Sequence, residues 1–520
     1  MTRERPRFSI VTPVYAPPID VLRETIDSVR AQTFTDWELI LVDDVSPDPA
    51  VRDALRAAAA ADARITVIER AVNGHIVKAS NDGVEAARGE FIALLDHDDL
   101  LTPDALEKMS EAIDEHPEVD YLYSDEDKLD DEGRYYDEFR KPAWSPERLR
   151  AQMYTCHFSV LRTSLVREVG GFHEGFDGSQ DHDLVLRVSE RSREVVHVPE
   201  ILYHWRVVPG SAAGDQDAKP YAWVAGRKAV QEHVDRVGID AEVVFGSITG
   251  TYHLRRRLDP ETLVSVIIPT RGGAGLVWGE RRVFVVEAVR SLIARGGHEN
   301  LEIVVVYDGV TPPEVLDELR ALAGDRLLLV RYDLPFNYSE KCNLGVLASH
   351  GSAIVLLNDD IEVVSEDFVA QLVAPIFEDG VGLTGARLHY SDGTIQHAGL
   401  AFYEDHLIHL FLQASPNDPG PFAALTVNRE VSGLTAACVA LRRTTFDQVG
   451  GLTETLPANF NDVDLSAKIS SAGLRLVWLA GVEAYHFESQ TREPVVQAWE
   501  HDIIKKRWNH PDVDKFLPVY

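Results

Sequence analysis

Cysteine is scarce in this chain: Cys156, Cys342 and Cys438 are the only three in 520 residues, and no two form a CxxC pair. That spacing excludes a disulfide framework and fits a reducing compartment. Long apolar runs are missing too. No stretch of about 18 uncharged apolar residues occurs, so no membrane span is expected. The opening "MTRERPRFSIVTPVY" passes from a short basic start into strand-like sequence, without the apolar core of a secretion signal. Positive charge is also in short supply, with a formal net charge of −33. That balance argues against a nucleic-acid partner, which needs a basic face, and against a polybasic membrane anchor. Solubility explains much of the acidic surplus. Carboxylates clustered to bind divalent cations would explain a few of the charges. A cytoplasmic protein is expected.

What is present is a long-period repeat. "FSIVTPVY" (Phe8–Tyr15) returns as "VSVIIPTR" (Val264–Arg271), and "ELILVDDVS" (Glu38–Ser46) as "EIVVVYDGV" (Glu302–Val310). "VGGF" (Val169–Phe172) returns as "VGGL" (Val449–Leu452). "SQDHDL" (Ser179–Leu184) is echoed by "FNDVDL" (Phe460–Leu465), and "LYHW" (Leu202–Trp205) by "AYHF" (Ala484–Phe487). Five blocks in one order make chance similarity a poor explanation. Two homologous domains are expected, residues 1–250 and 263–520, joined by a polar linker over 251–262.

Within each half, short apolar runs alternate with helical patterns. "SIVTPV", "ELILV", "ITVIE" and "FIALLD" are expected strands, and "VRDALRAAAAADA" is an expected helix. Alternation of this kind implies an α/β fold with a parallel sheet and covering helices. Ligands of such sheets bind beyond the carboxyl ends of the strands. Both "VDD" and "LLDHDDL" fall at such ends.

"LLDHDDL" (Leu94–Leu100) crowds Asp96, Asp98 and Asp99 around His97. Carboxylates this close repel one another unless something positive sits between them. A helix start does not explain them, because Thr102 is a natural N-cap and Pro103 suits the first helical position. Oxygen ligands two residues apart after a strand suit a hard ion, Mg²⁺ or Mn²⁺. The second copy, "LLNDDIE" (Leu356–Glu362), puts Asn358 for Asp96, Asp360 for Asp98 and Ile361 for Asp99. The carboxylate shared by both copies, Asp98 and Asp360, is the expected direct ligand, with Asp96 and Asn358 beside it.

Taken together, these blocks resemble the family 2 glycosyltransferases, once per half. The carriers are "TPVY", "VDD", "DHDD", "GGF…SQDHDL" and "YHWR", then "IPT", "YDG", "FNYSEKCNLG", "NDD", "GGL…FNDVDL" and "YHFES". "YSDEDKLD" and "DGTIQHAG" narrow the resemblance to bacterial tandem enzymes of surface-polysaccharide assembly (O-antigen, capsule or rhamnan type). The resemblance implies two tandem GT-A domains, Rossmann-like, with mostly parallel central sheets. It implies Asp44 and Asp308 at the base-recognition position, with Pro13 and Tyr15 flanking the nucleoside; Asp43 ranks lower, since Tyr307 replaces it. An aspartate there also suits a turn. Asp181 and Asp462 match the family's general base. Asp183 and Asp464 would orient the acceptor or cap the following helix. His204 and His486 match positions that reach the metal or diphosphate, although a histidine beside aromatics is often packed core. Arg206 could pair with phosphate, and His397, with His406 and His409, could line an acceptor path.

The expected activity is a bifunctional, inverting, metal-dependent transfer from UDP- or dTDP-linked sugars to a growing, lipid-linked glycan. Peripheral contact with the inner membrane or an assembly complex would follow from such an acceptor. Two alternatives stand: one half catalytic and the other a glycan- or nucleotide-binding module, or a non-catalytic nucleotide-sugar-binding scaffold. A nucleotidyltransferase would need a Gly-rich basic N-terminal loop, which "FSIVTPVYAPP" lacks.

Overall fold

The computed structural model describes residues 5–207, 220–403, 406–487, 496–508, 511 and 513–516. The last two residues of "YHFES" and the side chain of His406 lie outside the described part. Among the described residues, no helix is long and apolar enough to cross a membrane. The chain divides into two compact units. One runs up to Gly238 and includes Val243–Tyr252; the other holds Ile239–Glu242 and the residues from His253 onward.

In the first unit, Ile65–Glu69, Trp37–Asp43, Phe8–Val14 and Phe91–Leu94 lie side by side in parallel. The sheet continues through Ser159–Arg162, Val119–Leu129 and Glu194–Arg206 to the edge strand Leu100–Leu101. Ser159–Arg162 runs antiparallel to both neighbours, whereas Val119–Leu129 and Glu194–Arg206 are parallel to each other. The second unit repeats this order. Leu327–Tyr332, Leu301–Asp308, Val264–Thr270 and Ala353–Leu357 are followed by Cys438–Arg442, Val381–His389, Arg475–His486 and Ile361–Val363.

Alternate residues of one strand enter opposite cores, which explains the unbroken apolar runs. Val266 and Ile268 pack with Val285 and Val289 of the helix Phe284–Arg295. Ile267 packs with Cys342 and Val346 of the helix Tyr338–Ala348. That second helix comes close: a Cβ on Gly345 would lie 2.5 Å from Ile267 Cγ2 and 2.9 Å from Val306 Cγ2. Gly83 does the same in the first unit, 2.4 Å from Val11 Cγ1. Polar devices repeat as well. Ser9 Oγ donates to Glu38 at 2.6 Å and Ser265 Oγ to Glu302 at 2.6 Å.

The helix after the acidic cluster starts later than expected. It spans Ala105–Glu115 with Asp104 at the N-cap position and no side-chain cap bond. Thr102 is not its cap. Its N–H donates to Leu202 O at 3.1 Å, and its hydroxyl donates to Asp104 Oδ1 at 2.8 Å. Sheet pairing of Leu100 and Leu101 with His204 and Tyr203 claims this stretch first.

Candidate functional sites at the strand ends

In the second unit a cavity of about 490 Å³ opens at the carboxyl ends of the parallel strands. Its wall brings together Asp308, Asn358, Asp360, Asp462 and His486, all expected from sequence, with Arg271, Thr270 and Lys341. Its size is in the usual range for small-molecule sites. His486 Nε2 stands 3.2 Å from Asp360 Oδ1 and 3.3 Å from Asn358 Nδ2. His486 Nδ1 is held at 2.7 Å by Gln396 Oε1. Among the described residues, Asn358 Oδ1 is buried without a hydrogen-bond partner. Burial and the charge of Asp360 push the Asp359 carboxyl up, and Asp359 accepts from Thr270 Oγ1 at 2.6 Å. Asp360 is held down: burial opposes its ionisation, and His486 outweighs that.

In the first unit, ligand atoms of Asp96, Asp99 and His157 lie within 4.8 Å of one another. Asp99 therefore joins Asp96 in place of the expected Asp98, which is not part of the convergent set. Asp99 is buried and accepts from Tyr203 Oη at 2.6 Å and from the Arg206 N–H at 2.7 Å. His157 Nδ1 is 3.3 Å from Glu126 Oε2, a charge contact without hydrogen-bond geometry. Burial would lower the His157 pKa, but Glu126 raises it to about 9. Glu126 itself falls to about 2: burial opposes ionisation, and the Lys141 ammonium at 3.0 Å overcomes it. Burial, then the charge of Asp96, lifts Asp181 to about 6.

His204 is not at this turn. Its Nδ1 bonds Asp127 Oδ1 at 2.5 Å and its ring stacks on Tyr135 at 4.1 Å. Strand register explains why. Ser28 Oγ accepts from Leu101 N and Ser291 Oγ from Val363 N, so these two edge positions are equivalent. Leu101 stands opposite Tyr203, and Val363 opposite Ala484. His486 therefore matches Trp205, one residue beyond His204, and a one-residue offset reverses the face of a strand. A second exchange is reciprocal. Arg162 and Arg442 occupy matching register positions, which sets His157 against Ala437. One unit pairs His157 with Trp205, at 5.2 Å between rings; the other has Ala437 and His486. Each site thus receives a histidine from a different segment, His157 from the stretch before Ser159–Arg162 and His486 from the strand Arg475–His486.

At the second-strand ends, Asp44 is buried and its Oδ1 accepts from Arg70 at 2.6 Å and Gly74 N at 2.9 Å. Asp308 Oδ1 instead accepts from Lys341 Nζ at 2.6 Å, and that buried ammonium also donates to Thr270 O at 2.8 Å. Lys341 went unrecognised in the sequence although it lies in "FNYSEKCNLG"; Ala79 holds the matching place, by the alignment of Gly83 with Gly345. Asp43 is occupied by Ser46 N and Arg52. Pro13 O bonds His97 Nδ1 at 3.1 Å, and Tyr15 is exposed.

Asp183 and Asp464 are not helix caps. Both are fully buried in ion pairs one turn along their helices, with Arg187 at 2.6 Å and Lys468 at 3.3 Å. Arg187 also donates to Gly171 O and Lys468 to Gly451 O. From the other side, Asn81 and Asn343 accept from Phe172 N and Leu452 N at 2.9 Å. Gly171 and Gly451 adopt φ +66 and +64 in these turns. The repeated "VGG" and second aspartate are therefore a clamp that fixes the helices bearing Asp181 and Asp462. Arg206 braces the acidic turn through Asp98 O at 2.8 Å and Glu24 at 2.6 Å, so its guanidinium is already engaged. His397 is buried behind the cavity wall, bonded to His409 Nδ1 at 3.1 Å and to the N–H of Thr435, which lines the cavity.

Comparison with known proteins agrees with the repeat. Residues 9–170 and 265–450 each match the description Glycosyl transferase family 2. A Sinorhizobium fredii (strain NBRC 101917 / NGR234) protein named "Uncharacterized protein y4gI" is 42% identical over 98% of this chain and 56% of its own length. The O-antigen biosynthesis protein RfbC of Myxococcus xanthus is 34% identical over 98% of this chain and 40% of its own length. Chondroitin synthase of Escherichia coli is 31% identical over 39% of this chain and 29% of its own. The chain thus spans about half the length of the two relatives that match it throughout.

Proposed function

The chain belongs to glycosyl transferase family 2, and from that premise we propose that each unit is an inverting catalytic domain using a nucleoside-diphosphate sugar, UDP- or dTDP-linked. The acceptor is a growing bacterial surface glycan, carried on a lipid. The name of the Myxococcus xanthus relative supports that destination. The observation that carries the proposal is the cavity joining Asp308, Asn358, Asp360, Asp462 and His486 at the strand ends. Nucleoside-diphosphate donors and three free cysteines support a reducing, cytoplasmic setting.

The residues fit a divalent cation, Mg²⁺ or Mn²⁺. Asp96, Asp99 and His157 would hold it in the first unit, where their ligand atoms converge. Asn358, Asp360 and His486 would hold it in the second, where Asn358 Oδ1 is buried without a partner. When bound, such an ion supplies positive charge to the leaving diphosphate. The protein groups do the rest. Asp44 and Asp308 accept the ring N–H of a uracil or thymine. Asp181 or Asp462 takes the proton of the acceptor hydroxyl as its oxygen bonds to the anomeric carbon and the bond to the diphosphate breaks. A base lifted to about 6, as Asp181 is, remains ionised at neutral pH yet binds a proton better than an ordinary aspartate.

A panel of UDP- and dTDP-sugars with Mg²⁺ or Mn²⁺, scored for nucleoside-diphosphate release onto a lipid-linked acceptor, tests the proposal. Release that depends on Asp181 or Asp462 supports it. Donor binding without release from any sugar would make the chain a scaffold instead.

A further inference from the structure

The two centres differ in charge beyond what their shared fold requires. In the first, two carboxylates and a histidine converge, with Glu126 3.3 Å from the histidine and paired to Lys141 at 3.0 Å. In the second, an amide (Asn358) stands for Asp96, Ile361 follows Asp360, and an amide (Gln396) backs the histidine. The other second-unit carboxylates facing the cavity are engaged. Asp308 holds Lys341, Asp359 holds the Thr270 hydroxyl, and Asp462 accepts from Val463 N at 2.9 Å. That leaves Asp360, with His486 already 3.2 Å away.

We infer that the first centre binds a divalent cation on its own side chains, whereas the second takes one in only together with the diphosphate. The inference rests on the cation-dependent transfer proposed above. Its physical basis is ligand charge. Hard divalent ions are held by carboxylate oxygens, and affinity is tuned by how many charged ligands a site offers. The second centre lacks one of the two carboxylates among its ligands. A diphosphate brings the missing negative charge and restores the sum. Asn358 Oδ1, buried without a partner, stays available as a neutral oxygen ligand once the cation arrives with its anion.

Counting Mn²⁺ bound per full-length chain, by electron paramagnetic resonance of the free ion, tests this. The expected count is one Mn²⁺ in MnCl₂ alone and two after adding UDP or, in parallel, dTDP. Asp96→Asn should remove the ion bound without nucleotide. Asn358→Asp should create a second nucleotide-independent ion, with its apparent Kd tightened about 10-fold or more. Because Asn358→Asp gains a site, it stays informative even if Asp96→Asn folds poorly, which a thermal melt of each variant would reveal. Two ions bound without nucleotide, or one that survives Asp96→Asn and disappears in Asp360→Asn, would overturn the inference and leave the transfer reading intact. No Mn²⁺ bound under any condition would overturn the cation-dependent reading itself.

Discussion

His486 directs Nε2 at Asp360 Oδ1, 3.2 Å away, while His204, its match in letters, turns to Asp127 on the opposite face of its strand. The partner that does reach the first acidic turn is His157. Replacing His157 by alanine should weaken Mn²⁺ binding to the first unit about 10–100-fold, and His486→Ala should do the same in the second with UDP present. His204→Ala should leave both unchanged. Mn²⁺ titration of the three variants checks this, and a lost ion in His204→Ala would reinstate the letter-by-letter match.

Asp181 sets a pH dependence whose sign is determined by its role. Its pKa is raised to about 6, chiefly by burial and then by Asp96. A base works only when ionised, so first-unit turnover should be full above that value and fall about tenfold per pH unit below it. The profile is to be measured in an Asp462→Asn background, where the second unit is silent. A rate that stays flat as pH falls from about 7 to about 5 would remove Asp181 from that role.

Asp183 and Asp464 should behave as structural groups. Each is fully buried against a cation that also holds a glycine carbonyl of the turn. Removing one partner of a buried ion pair costs about 3–5 kcal/mol. Asp183→Asn should therefore lower the denaturant midpoint of the first unit while the folded fraction keeps its KM for donor. Unchanged stability with lost turnover would place Asp183 in contact with the acceptor instead.

Close helix–sheet contact makes a separate, chemistry-free prediction. Gly345→Ala would put a Cβ 2.5 Å from Ile267 Cγ2, so either the helix carrying Lys341 or the strand side chains beneath it must shift. Overpacking of this kind costs about 1–3 kcal/mol. A lower melting temperature should come with weaker nucleotide binding in the second unit, measured calorimetrically. Wild-type values for both would show that the helix moves freely.

Much of this architecture was legible in the linear order of residues. "SIVTPV", "ELILV" and "FIALLD" are local apolar runs, and a buried parallel strand needs little else to be recognised. The acidic strand ends followed from repeated motifs in a common order, as did a helix after each "QDHD" or "NDVD" stretch, although both helices start before Asp181 and Asp462 rather than after the second aspartates. Contacts set by register were not legible. His157 has no counterpart in the second half, because Ala437 fills that place and His486 approaches from another strand. "YHW" and "YHF" match in letters and are offset by one residue in the sheet, which hides a reversal of faces. Recurrence also misled in the opposite direction. Asp183 and Asp464 repeat because both units need the same clamp on a glycine turn, and a repeated carboxylate looks identical whether it binds a substrate or a neighbouring arginine.

We propose two working transfer sites in one chain. Asp181→Asn and Asp462→Asn, made separately in the full-length protein, test it most directly when each is assayed for nucleoside-diphosphate release and for the linkages formed. Each variant is expected to lose one transfer, by about 10²–10⁴-fold, and to retain the other. A variant that kept every transfer of the parent would show that its unit is not catalytic, and would contradict the claim.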